Sequence, residues 1–215
     1  MTPIRPRALA ALLLLLAGCG AEPPANAAAH AAALTAPAEH AWRANPSASR
    51  VTLAGDTLVV ETATHTVAWE EPAPELTPPY EVRATIRKRS GRLHEGTGVV
   101  FGGTGLEGPE AGQVYTYFLT RGDGSFLVKR RQGAETPVVR DWTRHPAVRR
   151  DTDAGGRPNE LVVRVGDAET VFLVNGSEVA RIPSADLAVR GRAGIRASHD
   201  VQIEVSGFEA GADHP

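Results

Sequence analysis

The sequence has a single cysteine, Cys19, among 215 residues. One thiol cannot build a disulfide framework or a thiolate metal cluster. A long hydrophobic run is also missing: the stretch Ala8 to Ala17 is too short for a membrane span. Excess positive charge is absent. The 23 basic residues face 25 acidic ones, a formal net charge of −2, which argues against a general nucleic-acid binder. The seven His residues are scattered, with no His-x-His or His-x-x-x-His spacing, so no zinc site is expected. At 42% hydrophobic and 22% charged residues the composition is that of an ordered chain, long enough to bury one substantial core.

The N-terminus reads as a targeting segment. Arg5 and Arg7 precede the apolar run, and Gly18-Cys19 follows it. This is the order of a charged region, an apolar region and a small-residue cleavage site, which assigns residues 1–18 to a signal peptide. Its removal leaves 197 residues with 21 basic and 25 acidic side chains, a net charge of −4. Leu16-Ala17-Gly18-Cys19 resembles the lipobox of bacterial lipoproteins. That resemblance implies lipidation of Cys19, cleavage before it and acylation of the new N-terminus. The protein would then be lipid-anchored to the bacterial cell envelope. Gly20 follows rather than Asp, which by that family's sorting rule implies the outer membrane. One acyl chain, at about 0.8 kcal/mol per buried CH₂, holds a protein only marginally, whereas several hold it stably. An ordinary secretory signal with an incidental Cys is the alternative. Residues 19–38, rich in Ala and Pro, read as a tether. Residues 39–211 are expected to form the folded domain, with 212–215 as a tail.

From residue 39 onward, short β-branched runs alternate with turn signals. Expected strands are 50–54, 57–62, 66–70, 80–88, 97–102, 113–121, 125–131, 160–165, 170–174, 178–181, 193–197 and 201–208. Val82, Ala84 and Ile86 oppose Glu81, Arg83, Thr85 and Arg87. Val201, Ile203 and Val205 oppose Gln202 and Glu204. Such alternation marks antiparallel sheets with one packed face and one wet face. Gly55-Asp56, Gly122-Asp123-Gly124, Gly166-Asp167 and Asn175-Gly176 sit where tight hairpins need them. One short helical turn is expected at 184–187. The pattern predicts an all-β protein, either a two-sheet sandwich or a barrel.

Three motifs narrow this. They are Asn159-Glu160-Leu161-Val162-Val163, Val174-Asn175-Gly176 and Gly191-Arg192-Ala193-Gly194-Ile195. With Gly96 to Gly103 and Tyr115 to Arg130, the series resembles the concanavalin A-like lectin/glucanase superfamily, in its laminin-G-like and 3-keto-disaccharide-hydrolase-like branch. The resemblance implies a jelly-roll sandwich of two curved antiparallel sheets. It also implies that glycans or proteins are bound on the concave face or at loop ends. Catalytic glucanase members carry Glu-x-Asp-x-x-Glu on one strand, aiming the carboxylates at one cleft. That pattern is absent here. Glu107 and Glu110 fall in a Gly/Pro-rich loop, and Glu204 stands alone in its strand. No catalytic residue is assigned.

Tyr115 and Tyr117 lie two apart in one expected strand, so they share a face with Gln113, Leu119 and Arg121. Aromatic faces beside polar groups suit sugar rings; packing in the core with the hydroxyls at its edge is the alternative. Trp142 is a second candidate platform, or packs between sheet and loop. The segment 121–150 carries eight Arg and Lys against three acids, which can steer an anionic partner, and Arg forks suit carboxylate and phosphate. Solvated strand and loop surface is the bland alternative. The ligand-binding candidates are Tyr115, Tyr117, Arg121, Arg131 and Trp142. Asp123, Asp151, Asp153 and Asp200 fall in expected loops, where some sandwich domains hold Ca²⁺, but no cation-loop pattern is present and no cofactor is expected. Three readings follow: a non-catalytic binder of carbohydrate or an acidic envelope polymer, a glycoside hydrolase or lyase, and an envelope protein-interaction module. The first accounts best for the lipobox, the sandwich pattern and the absent acid pair together.

Overall fold

The computed structural model describes residues 41–45, 48–152 and 155–212. The signal peptide, the tether, Cys19 and Asp153 lie outside the described residues, as does all but the first residue of the expected tail.

Fourteen strands form the fold: β1 (Ala41–Ala44), β2 (Ala48–Ala54), β3 (Thr57–Thr62), β4 (Thr66–Glu71), β5 (Tyr80–Ser90), β6 (Thr97–Thr104), β7 (Val114–Arg121), β8 (Ser125–Gln132), β9 (Val138–Arg144), β10 (Asn159–Val165), β11 (Glu169–Val174), β12 (Ser177–Pro183), β13 (Arg192–Ala197) and β14 (Gln202–Gly211). They make two antiparallel sheets of seven strands. The first runs β1-β4-β13-β6-β7-β8-β9, and the second β12-β11-β10-β5-β14-β3-β2. The molecule is an all-β jelly-roll sandwich, as expected. Two strands went unanticipated, β1 and β9. Trp142, read either as a stacking platform or as packing between sheet and loop, lies in β9, at the edge of the first sheet. The short helical turn at Ser184–Asp186 is present as a 3-10 turn.

Period-two alternation builds the core. Val82, Ala84 and Ile86 of β5 point inward with Leu161 and Val163 of β10 and Ile203 and Val205 of β14. They meet Val99 and Phe101 of β6, Phe118 of β7, Phe126 and Val128 of β8 and Ile195 of β13. Phe118 stands edge-on to Phe172 at 5.1 Å and to Phe126 at 6.2 Å, the arrangement aromatic rings favour.

The motif residues have structural work. Asn175, with φ +49°, turns the β11–β12 hairpin. Its side chain donates to Ala147 O at 2.7 Å and to Asn159 Oδ1 at 2.8 Å. Asn159 Oδ1 also accepts from the Arg149 backbone N–H at 2.8 Å. The two asparagines therefore pin the 145–150 segment to the end of the second sheet. Gly194 is dictated by close approach: a Cβ there would lie 2.2 Å from Ala68 O.

Candidate functional site

The five candidate side chains share one surface, the outer face of the first sheet, turned away from the inter-sheet core. Register explains this. Tyr115 pairs with Arg131, Tyr117 with Lys129 and Leu119 with Leu127 across β7 and β8. Tyr117 pairs with Val100 on β6, and Arg196 of β13 pairs with Gly98 of β6 and Val67 of β4. Directly opposed residues in a sheet point to the same side. Arg196, Lys129 and Trp69 therefore join the tyrosines, although no sequence pattern marked them. Val67, Trp69, Val100, Leu106, Tyr115, Tyr117, Leu119 and Leu127 form a second apolar cluster, with Trp142 packed against it.

Tyr115 and Tyr117 are 1% and 4% exposed and lie at 5.8 Å between ring centroids. They are neither in the inter-sheet core nor free on the surface. They form the floor of the outer face. Arg131, 4% exposed, donates to Tyr115 Oη at 3.1 Å, to Gly133 O at 3.0 Å and to Glu110 Oε2 at 3.3 Å. Arg121 and Trp142 form a half-exposed pair nearer one end. The guanidinium stacks 4.3 Å from the indole centroid and pairs with Asp123 at 2.8 Å. The absence of a side chain at Gly96, just before β6, leaves room for the indole: a Cβ there would meet Trp142 at 2.8 Å.

Arg196 reaches across β6 from β13 to the tyrosines of β7. Its guanidinium sits 4.5 Å from the Tyr117 centroid and donates to Tyr115 Oη at 2.9 Å. Lys129 is held below the usual amine range by burial and by the nearby Arg196, with Asp141 pulling the other way. At the rim, His65 bonds to Glu110 and stands edge-on to His199 at 5.6 Å. Burial and the charge of Arg196 hold His65 below its ordinary value despite Glu110. Burial pushes the Glu110 carboxyl up, but His65 and Arg131 outweigh it and the net shift is downward. Gln113, expected to share the tyrosines' face, fixes the loop that carries Glu110. Its amide donates to Leu106 O and Gly108 O.

The expected basic segment supplies a different feature. Arg144, His145, Arg149 and Arg150, joined by Arg157, line a shallow cleft of about 440 Å³ at one end of the sandwich. Asp123, also at this cleft, is occupied by Arg121. The loop aspartates have other employment too. Asp151 pairs with the buried Lys88 at 3.0 Å. Among the described residues no three His, Cys, Asp or Glu side chains gather as a metal site would require. Glu204 pairs with Arg89 at 3.6 Å, and Glu107 pairs with Arg192.

No protein-family model matches the chain, and no curated protein matches it. Solved structures do. The carbohydrate-binding module CBM66 from Bacillus subtilis superposes with a TM-score of 0.62 at 6% identity, over 80% of this chain and 95% of that one. A Bacillus subtilis protein of unknown function with a galectin-like fold gives 0.59 at 11% identity, over 79% and 88%. The exoplasmic/lumenal domain of VIP36, in a Ca²⁺- and Man3GlcNAc-bound form, gives 0.54 at 9% identity, over 81% and 85%. At such identities the likeness establishes the fold, a galectin-like, concanavalin A-like jelly roll, and leaves function to the site.

Proposed function

We propose that the protein binds carbohydrate without turning it over, on the outer face of the first sheet. The observation that carries this is the composition of that face. The partly exposed Trp142 and Arg121 lie beside a floor of buried Tyr115, Tyr117 and Trp69, with Arg131 and Arg196 bonded to the Tyr115 hydroxyl, where a sandwich would ordinarily carry paired charges. Sugar rings present apolar C–H faces and a rim of hydroxyls, and aromatic floors edged by fixed donors suit both. Similar folds whose printed names include a carbohydrate-binding module and a glycan-bound lumenal domain support the reading. The lipobox-like Leu16 to Cys19 supports a place on the bacterial envelope, outer membrane included, with acyl chains on Cys19 as the anchor. An envelope glycan or acidic polymer is then the natural ligand.

Calorimetry of the folded domain against neutral and acidic polysaccharides tests the binding. Saturable binding that Tyr117→Ala and Trp142→Ala weaken, with no new reducing ends on prolonged incubation, is the expected result. Failure to bind any glycan overturns the reading, and release of new reducing ends overturns its non-catalytic part. Mass spectrometry of the exported protein checks the anchor: diacylglyceryl-modified Cys19 is expected, and an unmodified thiol contradicts it.

A further inference from the structure

We infer that the sugar bound on this face carries a carboxylate, received by Arg196 with Lys129 as the second cation. The inference rests on the carbohydrate reading above and names the class of ligand.

Charge and hydrogen-bond donors both go unmatched on this face. Arg196 is 7% exposed, yet among the described residues no carboxylate lies within ion-pair distance of it. Its one acceptor is the Tyr115 hydroxyl, which Arg131 also uses. Lys129 likewise has no ion-pair partner. The close carboxylate on this face, Glu110, is held by Arg131 and His65, and Asp141 acts on Lys129 only from beyond ion-pair distance. Burying a charge without a partner is costly unless something compensates it. The tyrosine faces supply part of that compensation. They do not neutralise it.

Side-chain donors point the same way. Four buried side-chain nitrogens lack a hydrogen-bond partner among the described residues: Trp69 Nε1, Arg121 Nε, Arg130 Nε and Arg196 Nε. Three of these, on Trp69, Arg121 and Arg196, belong to the outer face of the first sheet. All are N–H groups that can only donate, so what the face lacks is acceptors. A neutral sugar brings hydroxyls that both donate and accept. A carboxylate brings only acceptors and the missing negative charge, in a planar form that a guanidinium fork matches. The end cleft does not make this case. Arg144, Arg149, Arg150 and Arg157 are exposed, and water solvates them.

The test uses calorimetry with oligomers of polygalacturonate, alginate and hyaluronan, each against its carboxyl-reduced form of equal length. The wild-type domain is expected to bind at least one acidic oligomer and to lose about 10- to 100-fold in affinity when the carboxyl is reduced, as loss of a charge-assisted bond implies. Arg196→Met is expected to erase that preference while raising the melting temperature, because it removes an uncompensated buried charge. A purely architectural arginine would lower the melting temperature on removal. Lys129→Gln, at a half-exposed position, keeps the test decisive should Arg196→Met fail to fold: the preference must shrink, and an unchanged preference overturns the inference. Equal affinity for acidic and reduced oligomers also overturns it and leaves carbohydrate binding intact. No binding to either form removes the carbohydrate reading itself.

Discussion

The outer faces of the two sheets arise from the same alternating code, yet they are chemically unlike. On the second sheet many outward side chains are charged and paired, beside the apolar Val162, Val171 and Leu173. Arg164 meets Glu81 at 3.0 Å and Arg83 meets it at 2.7 Å. Arg181 pairs with Glu178 at 2.8 Å and Glu169 at 3.2 Å, and Gln202 donates to Glu61 at 2.7 Å. Cross-strand pairs of this kind keep a sheet face soluble and specify its register. On the first sheet the outward positions hold Trp69, Tyr115, Tyr117, Leu119 and Leu127, with cations that outnumber their acidic partners. A face finished for water carries paired charges, as these positions of the second sheet do. On the first sheet the proposed acidic ligand would supply the negative charge that the face has too little of.

Substitutions sharpen the contrast. The largest expected effect is on stability. Leu127→Ala, on the outer face of the first sheet, should cost about 2–5 kcal/mol because the residue is packed as a core residue would be. Denaturant unfolding measures it, and a loss under about 1 kcal/mol would mean the second cluster is not a packed unit. Next comes binding. Tyr117→Ala should weaken glycan affinity about tenfold, the scale of one lost stacking and polar contact, whereas Glu81→Gln on the opposite sheet should leave it unchanged.

The two faces should also respond differently to acid. His65 titrates below its ordinary 6.5 in the folded protein, so the unfolded chain binds the proton first, and stability falls as pH drops through 6.5 toward the folded value. Glu110 and Glu81 titrate below their ordinary 4.5. Their contribution is present above 4.5 and is lost as pH falls through the folded values. His65→Gln should therefore remove the loss that begins near 6.5, and Glu81→Gln only part of the loss below 4.5. Melting temperatures from pH 8 to pH 3 read both. The smallest effect is expected from Arg164→Ala. Its pair with Glu81 is half-exposed, and such pairs contribute about 0–1 kcal/mol.

Much of the fold was legible in the sequence because most strands have one packed face and one wet face. The limits of β3 matched residue for residue, and the Asn175-Gly176 turn declared itself through its need for positive φ. β9 was missed because an edge strand reading Val-Val-Arg-Asp-Trp-Thr-Arg is mostly exposed, with no apolar alternation to see. The site was legible only within single strands. Tyr115 and Tyr117 share a face by spacing alone. Arg196, Trp69 and His65 reach that face through the order β4-β13-β6-β7, which joins segments far apart in sequence. Alternation was silent there as well. In β6 and β7 nearly every residue is buried, so both faces look like core. Period two distinguishes faces only where one of them is wet.

The central claim is tested most directly by a chemical-shift map of the domain titrated with an acidic oligosaccharide it binds. The perturbed amides and indoles should cluster on β7, β8, β9 and β13, around Tyr117, Lys129, Trp142 and Arg196. Shifts confined to β5, β10 and β14, or to the cleft of Arg144, Arg150 and Arg157, would contradict it.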